Sequence, residues 1–79
     1  MTGRTLNHDS VIQPGERYRR HRGDDVEEFA TVVALGSDAL GIPHVRFMHC
    51  LTLPSGRTVE NERALALRSF VGMYRELVA

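Results

Sequence analysis

At 79 residues the chain has room for one domain, and a domain of this length buries only about three-fifths of the surface its unfolded form exposes, so the core must be small. Hydrophobic residues make up 42% of the chain, yet no apolar run approaches the roughly 18 residues of a membrane span, which excludes a spanning helix. Ten basic side chains balance ten acidic ones, so no net field steers the chain toward nucleic acid or an anionic membrane.

Residues 1 to 10 are polar and non-periodic and predict a flexible tail unless Leu6 docks on the domain, which is expected to span 11–79. No apolar stretch or small-residue cleavage site marks that tail as a secretory signal, so a cytoplasmic location is expected. Val11 and Ile12 precede Pro14-Gly15, a turn whose Pro presets φ and whose Gly accepts a positive one; a strand should follow.

The basic run Arg17 to Arg22 meets the acidic run Asp24 to Glu28 across Gly23-Asp24, which reads as a two-residue hairpin turn. Counting outward sets Arg22 opposite Asp25, Arg20 opposite Glu27, Arg19 opposite Glu28 and Tyr18 opposite Phe29. Cross-strand pairs of this kind are worth about 0.2–1 kcal/mol each and together would select that register. Phe29 to Leu35, rich in β-branched and apolar residues, predicts a central strand that ends at Gly36. The Gly- and Pro-containing stretch 36–43 predicts a loop with Leu40 or Ile42 tucked inward.

From His44 to Leu53 the residues alternate, Val45, Phe47, His49, Leu51 and Leu53 on one face and Arg46, Met48, Cys50 and Thr52 on the other, the period of a strand. Pro54-Ser55-Gly56 turns the chain, and residues 57–61 return antiparallel. The C-terminal stretch predicts a short strand around Leu65 and Leu67. A helix follows, capped by Ser69, with Phe70, Val71, Tyr74, Leu77 and Val78 at helical spacing; a continuous helix from Glu62 is the competing reading.

The segment Pro14-Gly15-Glu16-Arg17-Tyr18-Arg19-Arg20-His21-Arg22-Gly23 resembles the opening of small SH3-like bacterial barrels of unknown function, whose first hairpin carries a Tyr-Arg-His-Tyr-Lys-Gly-type run. Arg63 to Phe70 is similar to the final strand and Phe-bearing turn of such families. The resemblance implies a mostly β fold, a small antiparallel SH3-like barrel with a short C-terminal helix, and it implies a fold more than an activity.

No metal or cofactor site is expected. His8, His21, His44, His49 and Cys50 lack ligand spacing, and the adjacent His49 and Cys50 point to opposite faces of a strand. Cys50, the single cysteine, rules out an internal disulfide and reads as a small packed hydrophobe. The carboxylate pairs Asp24-Asp25 and Glu27-Glu28 have no cleft to work in, and the scattered glycines form no phosphate loop. Every basic residue is Arg, and so uniform a usage along the chain reads as a coding bias rather than as selection for bidentate recognition of phosphate or carboxylate.

These readings converge on a non-enzymatic, monomeric module that binds a protein partner around the first hairpin and the 36–43 loop, through Tyr18, Arg19, Arg20, Arg22, Leu40 and Tyr74. Tyr18 and Tyr74 are expected to keep their hydroxyls at the surface, whereas Phe47 belongs to the core. The alternative is nucleic-acid binding, RNA or single-stranded DNA, with the hairpin arginines on phosphates and Tyr18 as a stacking platform; the acidic strand 25–28 opposes it.

Overall fold

The computed structural model describes residues 12–78, so the expected tail, Leu6 and the first residues of the expected domain lie outside the described part. Five antiparallel strands form one sheet, joined by one short helix: β1 (Arg17–Arg20), β2 (Glu27–Ser37), β3 (Pro43–Thr52), β4 (Thr58–Ala66), α1 (Leu67–Met73) and β5 (Glu76–Val78). The spatial order is β4-β3-β2-β1-β5, so the chain runs as a meander and then returns its last strand beside its first. The sheet is open, with β4 and β5 at its two edges, and does not close into the expected barrel.

Local sequence accounts for the turns. Glu16 donates its N–H to the Gln13 carbonyl across Pro14-Gly15, with Gly15 at φ 91°, as the Pro-Gly pair demands. Gly56, at φ 89°, closes the β3–β4 hairpin by donating to the Leu53 carbonyl. The alternation expected for β3 holds: Val45, Phe47 and His49 are buried on the inner face while Arg46 is exposed on the outer one.

The first hairpin departs from the expected register by one residue. Arg20 lies opposite Glu28, Arg19 opposite Phe29 and Tyr18 opposite Ala30. A one-residue slip changes which side chains share a face. In the observed register Tyr18 joins Ala30 and Val32 in the core, and Phe29 turns to the outer face, where the Arg17 guanidinium lies 3.9 Å from its ring centre. Burial of Tyr18 outweighs the exposed charge pairs that favour the other register, since each of those is worth only tenths of a kcal/mol. A loop over 21–26 absorbs the difference, held by Asp24 accepting the Val26 N–H.

The C-terminus also differs. The strand β4 runs to Ala66 and passes directly into α1, so neither a helix from Glu62 nor a Ser69 cap is present; Ala66 occupies the cap position and makes no side-chain cap bond. Only Phe70 of the helix is buried, and Tyr74 terminates it. Leu77 and Val78, expected on the helix, instead pair with Tyr18 and Arg17 as β5.

The core gathers on the inner face of the sheet beneath α1. Phe70 packs edge-on against Tyr18 and Phe47 at 5.6 and 5.1 Å, and against Tyr74 at 5.1 Å, with Val32, Val45, Ala30 and Ile12 filling around them. Such offset aromatic contacts add about 0.5–1.5 kcal/mol each beyond the area they bury.

Candidate functional site

Two places gather the chain's chemistry: a buried carboxylate at one end of the inner face, and the β2–β3 loop with the groove beside it. Strand periodicity puts Glu28 two residues before Ala30, on the core face, and it is 3% exposed. Its Oε2 accepts from the Tyr74 hydroxyl at 2.7 Å and from His49 Nε2 at 2.8 Å, and its Oε1 from Arg22 at 3.1 Å, with the Arg20 guanidinium 3.9 Å away.

Burial pushes the Glu28 carboxyl upward, but the three donors outweigh it and hold the group below its ordinary value, so it is ionised at neutral pH. Burial together with the same carboxylate pushes the Tyr74 hydroxyl far above its usual value and keeps it a donor. Both oxygens of Glu28 are occupied by side chains of this chain, and no buried side-chain polar atom among the described residues lacks a partner. The His49–Glu28 contact therefore organises the core, with both carboxylate oxygens already bonded to side chains of this chain.

The hairpin residues singled out in the sequence are mostly engaged. Tyr18 and Tyr74 are 0% and 1% exposed, which corrects the expectation of surface phenols: each hydroxyl finds a carboxylate inside the fold, Tyr18 on Glu16 Oε1 at 2.6 Å and Tyr74 on Glu28. Arg19 forks onto Glu76 with two bonds of 3.1 Å, and His21 reaches the same carboxylate at 2.9 Å. Arg22 bridges Asp24 and Glu28. Arg20 is the loosest of the set, half-exposed and nearly 4 Å from its closest carboxylate. All five aromatic rings of the chain lie in the core or under Arg17, so none offers a free stacking face.

The β2–β3 loop is the opposite case. Leu40 is 84% exposed and Ile42 45%, so neither tucks inward as expected. Asp38 fixes the loop: its Oδ1 accepts the Leu40 and Ile42 N–H groups at 2.9 Å each, its N–H reaches the Ile42 carbonyl, and Gly41 at φ 81° donates back to the Asp38 carbonyl. The Ile42 N–H bond is the main reason the Asp38 carboxyl sits below its ordinary value. His44 Nδ1 adds a 2.9 Å bond to the Ile42 carbonyl. Beside the loop an open groove is lined by Ile42, Pro43, Ala66, Leu67 and Arg68.

Sequence reasoning named Leu40, and named Arg20, Arg22 and Tyr74 without the Glu28 carboxylate they surround; it placed His49 on the inner face but missed its bond to Glu28, and it missed Asp38 and the groove. For Glu28 a signal existed, because two-residue steps from Val32 and Ala30 lead to it; the groove joins residues from β3 and the β4–α1 junction and has no local signature. Among the described residues no three His, Cys, Asp or Glu side chains converge as metal ligands. Cys50 faces outward, away from His49, and burial and the Glu60 carboxylate push its thiol up, so it stays protonated. No helix among the described residues is long and apolar enough to cross a membrane. Comparison with protein-family models, with curated proteins and with solved structures finds no match to this chain.

Proposed function

We propose that the chain is a non-enzymatic interaction module that takes a protein partner on the Leu40 loop and the adjoining groove. The observation that carries this reading is a large apolar side chain held out in water on a loop tied by four hydrogen bonds through Asp38. A preorganised apolar knob loses little conformational freedom on binding, so more of its burial appears as affinity. The groove of Ile42, Pro43, Ala66 and Leu67 extends the apolar surface beside it.

The fold we infer is an SH3-like barrel left open. Three successive hairpins followed by a last strand beside the first support it, since approach of the β4 and β5 edges would complete a small barrel. The lone thiol fits a reducing compartment such as the cytoplasm.

Nucleic-acid binding loses its stacking platform with Tyr18 in the core, and two of its hairpin arginines, Arg19 and Arg22, are already held by carboxylates of this chain. An amide NMR titration of the labelled protein with mixed-sequence single-stranded RNA separates the two classes. We expect an unchanged spectrum even at low salt; shifts centred on residues 17 to 22 that fade with added salt would transfer the function to nucleic acid.

A further inference from the structure

We propose that β4 is a docking edge that receives an extended, basic segment of the partner protein as a sixth strand. This rests on the protein-partner reading and specifies the chemistry of the partner. Of the two sheet edges, β5 offers three residues and β4 offers nine, most of them exposed. A long edge strand presents unpaired backbone donors and acceptors, the template for strand addition.

The ladder fixes which groups face outward. Leu53 donates its N–H to the Arg57 carbonyl, and continuing the antiparallel alternation from that bond turns the odd residues of β4 toward β3. The backbone groups of Thr58, Glu60, Glu62 and Ala64 are left at the free edge. The side chains of these residues share the outer face with Cys50, Met48 and Arg46, so an added strand meets Glu60 and Glu62 on that face. Arg46 reaches Glu62 at 2.6 Å, while no cation among the described residues lies within 4 Å of Glu60. On the opposite face Asn61 is neutral and Arg63 repels a cation, so the complementary segment carries basic residues at alternate positions only.

A second copy of the chain fits poorly. The two-fold antiparallel register that pairs all nine residues is centred on Glu62 and sets Glu62 against Glu62, a like-charge pair. The far end of β4 favours a longer ligand, because Ala66 lines the groove with Ile42 and Pro43, where an apolar residue beyond the paired stretch can settle.

The test is an amide-exchange and chemical-shift titration of the full chain with an acetylated, amidated peptide that starts with Leu and then alternates Val and Arg, so that antiparallel pairing sets the Leu beside Ala66. A control peptide carries Glu in place of Arg. The expected result is slowed exchange at the Glu60, Glu62 and Ala64 amides with the basic peptide alone. The double variant Glu60→Arg, Glu62→Arg should weaken binding about tenfold, the worth of two cross-strand charge pairs near the top of their range.

Equal binding of the Glu peptide, or no change at β4, would overturn the proposal. Shifts confined to the Leu40 loop and the groove would overturn strand addition while leaving the interaction-module reading intact. Protection of β4 that appears on concentrating the protein without peptide would put a second copy on the edge and overturn it too.

Discussion

Replacing Glu28 by Ala is expected to lower stability by about 3–5 kcal/mol, the range for breaking a buried charge pair by removing one partner. The change strands the Tyr74 hydroxyl, the His49 ring and one Arg22 donor, all of which now converge on a carboxylate that is almost wholly out of water. Against a total of about 0.05–0.15 kcal/mol per residue such a loss is a large part of what holds the fold. Urea unfolding of the variant measures it, and a change under about 1 kcal/mol would contradict the role assigned to Glu28.

The same carboxylate gives a pH dependence of defined sign. Its value in the folded protein lies below the ordinary 4.5, so its contribution is fully present above pH 4.5 and is lost as the pH falls through the lowered folded value. Asp38 and Glu76 are depressed as well and add their own acid sensitivity, so the informative quantity is a difference. Stability of the parent protein should fall more steeply below pH 4.5 than that of the Glu28→Gln variant. Parallel curves would mean that Glu28 has the same proton affinity folded and unfolded.

Phe70→Ala is the second large effect, expected to cost about 3–5 kcal/mol and to release the C-terminal end of the chain. With seven residues, α1 is too short to persist alone, and Phe70 is its one buried side chain. That ring touches Tyr18, Phe47 and Tyr74, so its removal opens a cavity among three aromatics and unfastens the element that delivers β5 to β1. Hydrogen exchange should show β5 amides losing protection along with the weakened whole. If β5 stayed as protected as in the parent, α1 would not be its anchor.

Much of the sheet is legible in the sequence because its signals are local. The β3 alternation, the Pro14-Gly15 turn and the Gly56 hairpin each follow from residues within a few positions of one another. The first hairpin reads one residue out of register because the charge pattern is a local signal and the burial of Tyr18 is not: its neighbours Phe70 and Leu77 come from the other end of the chain. The same distance hides β5, whose Leu77 and Val78 fit a helical stripe until β1 claims them. The general habits of phenols put both tyrosines at the surface, yet each hydroxyl has a carboxylate waiting inside, Glu16 for Tyr18 and Glu28 for Tyr74.

Of the candidate site, Leu40 is visible as an apolar residue in a Gly- and Pro-bounded loop. Its direction is not, because that depends on Asp38 committing its carboxylate to the Leu40 and Ile42 amides rather than to solvent. The groove is invisible for a plainer reason: Pro43 and Ala66 meet only once β3 and β4 have paired.

The most direct measurement is photo-crosslinking with a benzophenone side chain at position 40, and at Asp25 in the β1–β2 loop as a distant control, in extracts of the cells from which the protein comes. A protein partner seated on the Leu40 loop predicts one discrete protein adduct from position 40. It should survive nuclease treatment, vanish when Ile42→Asp is added, and be absent from position 25. Adducts equally abundant at both positions, or a position-40 adduct destroyed by nuclease, would contradict it.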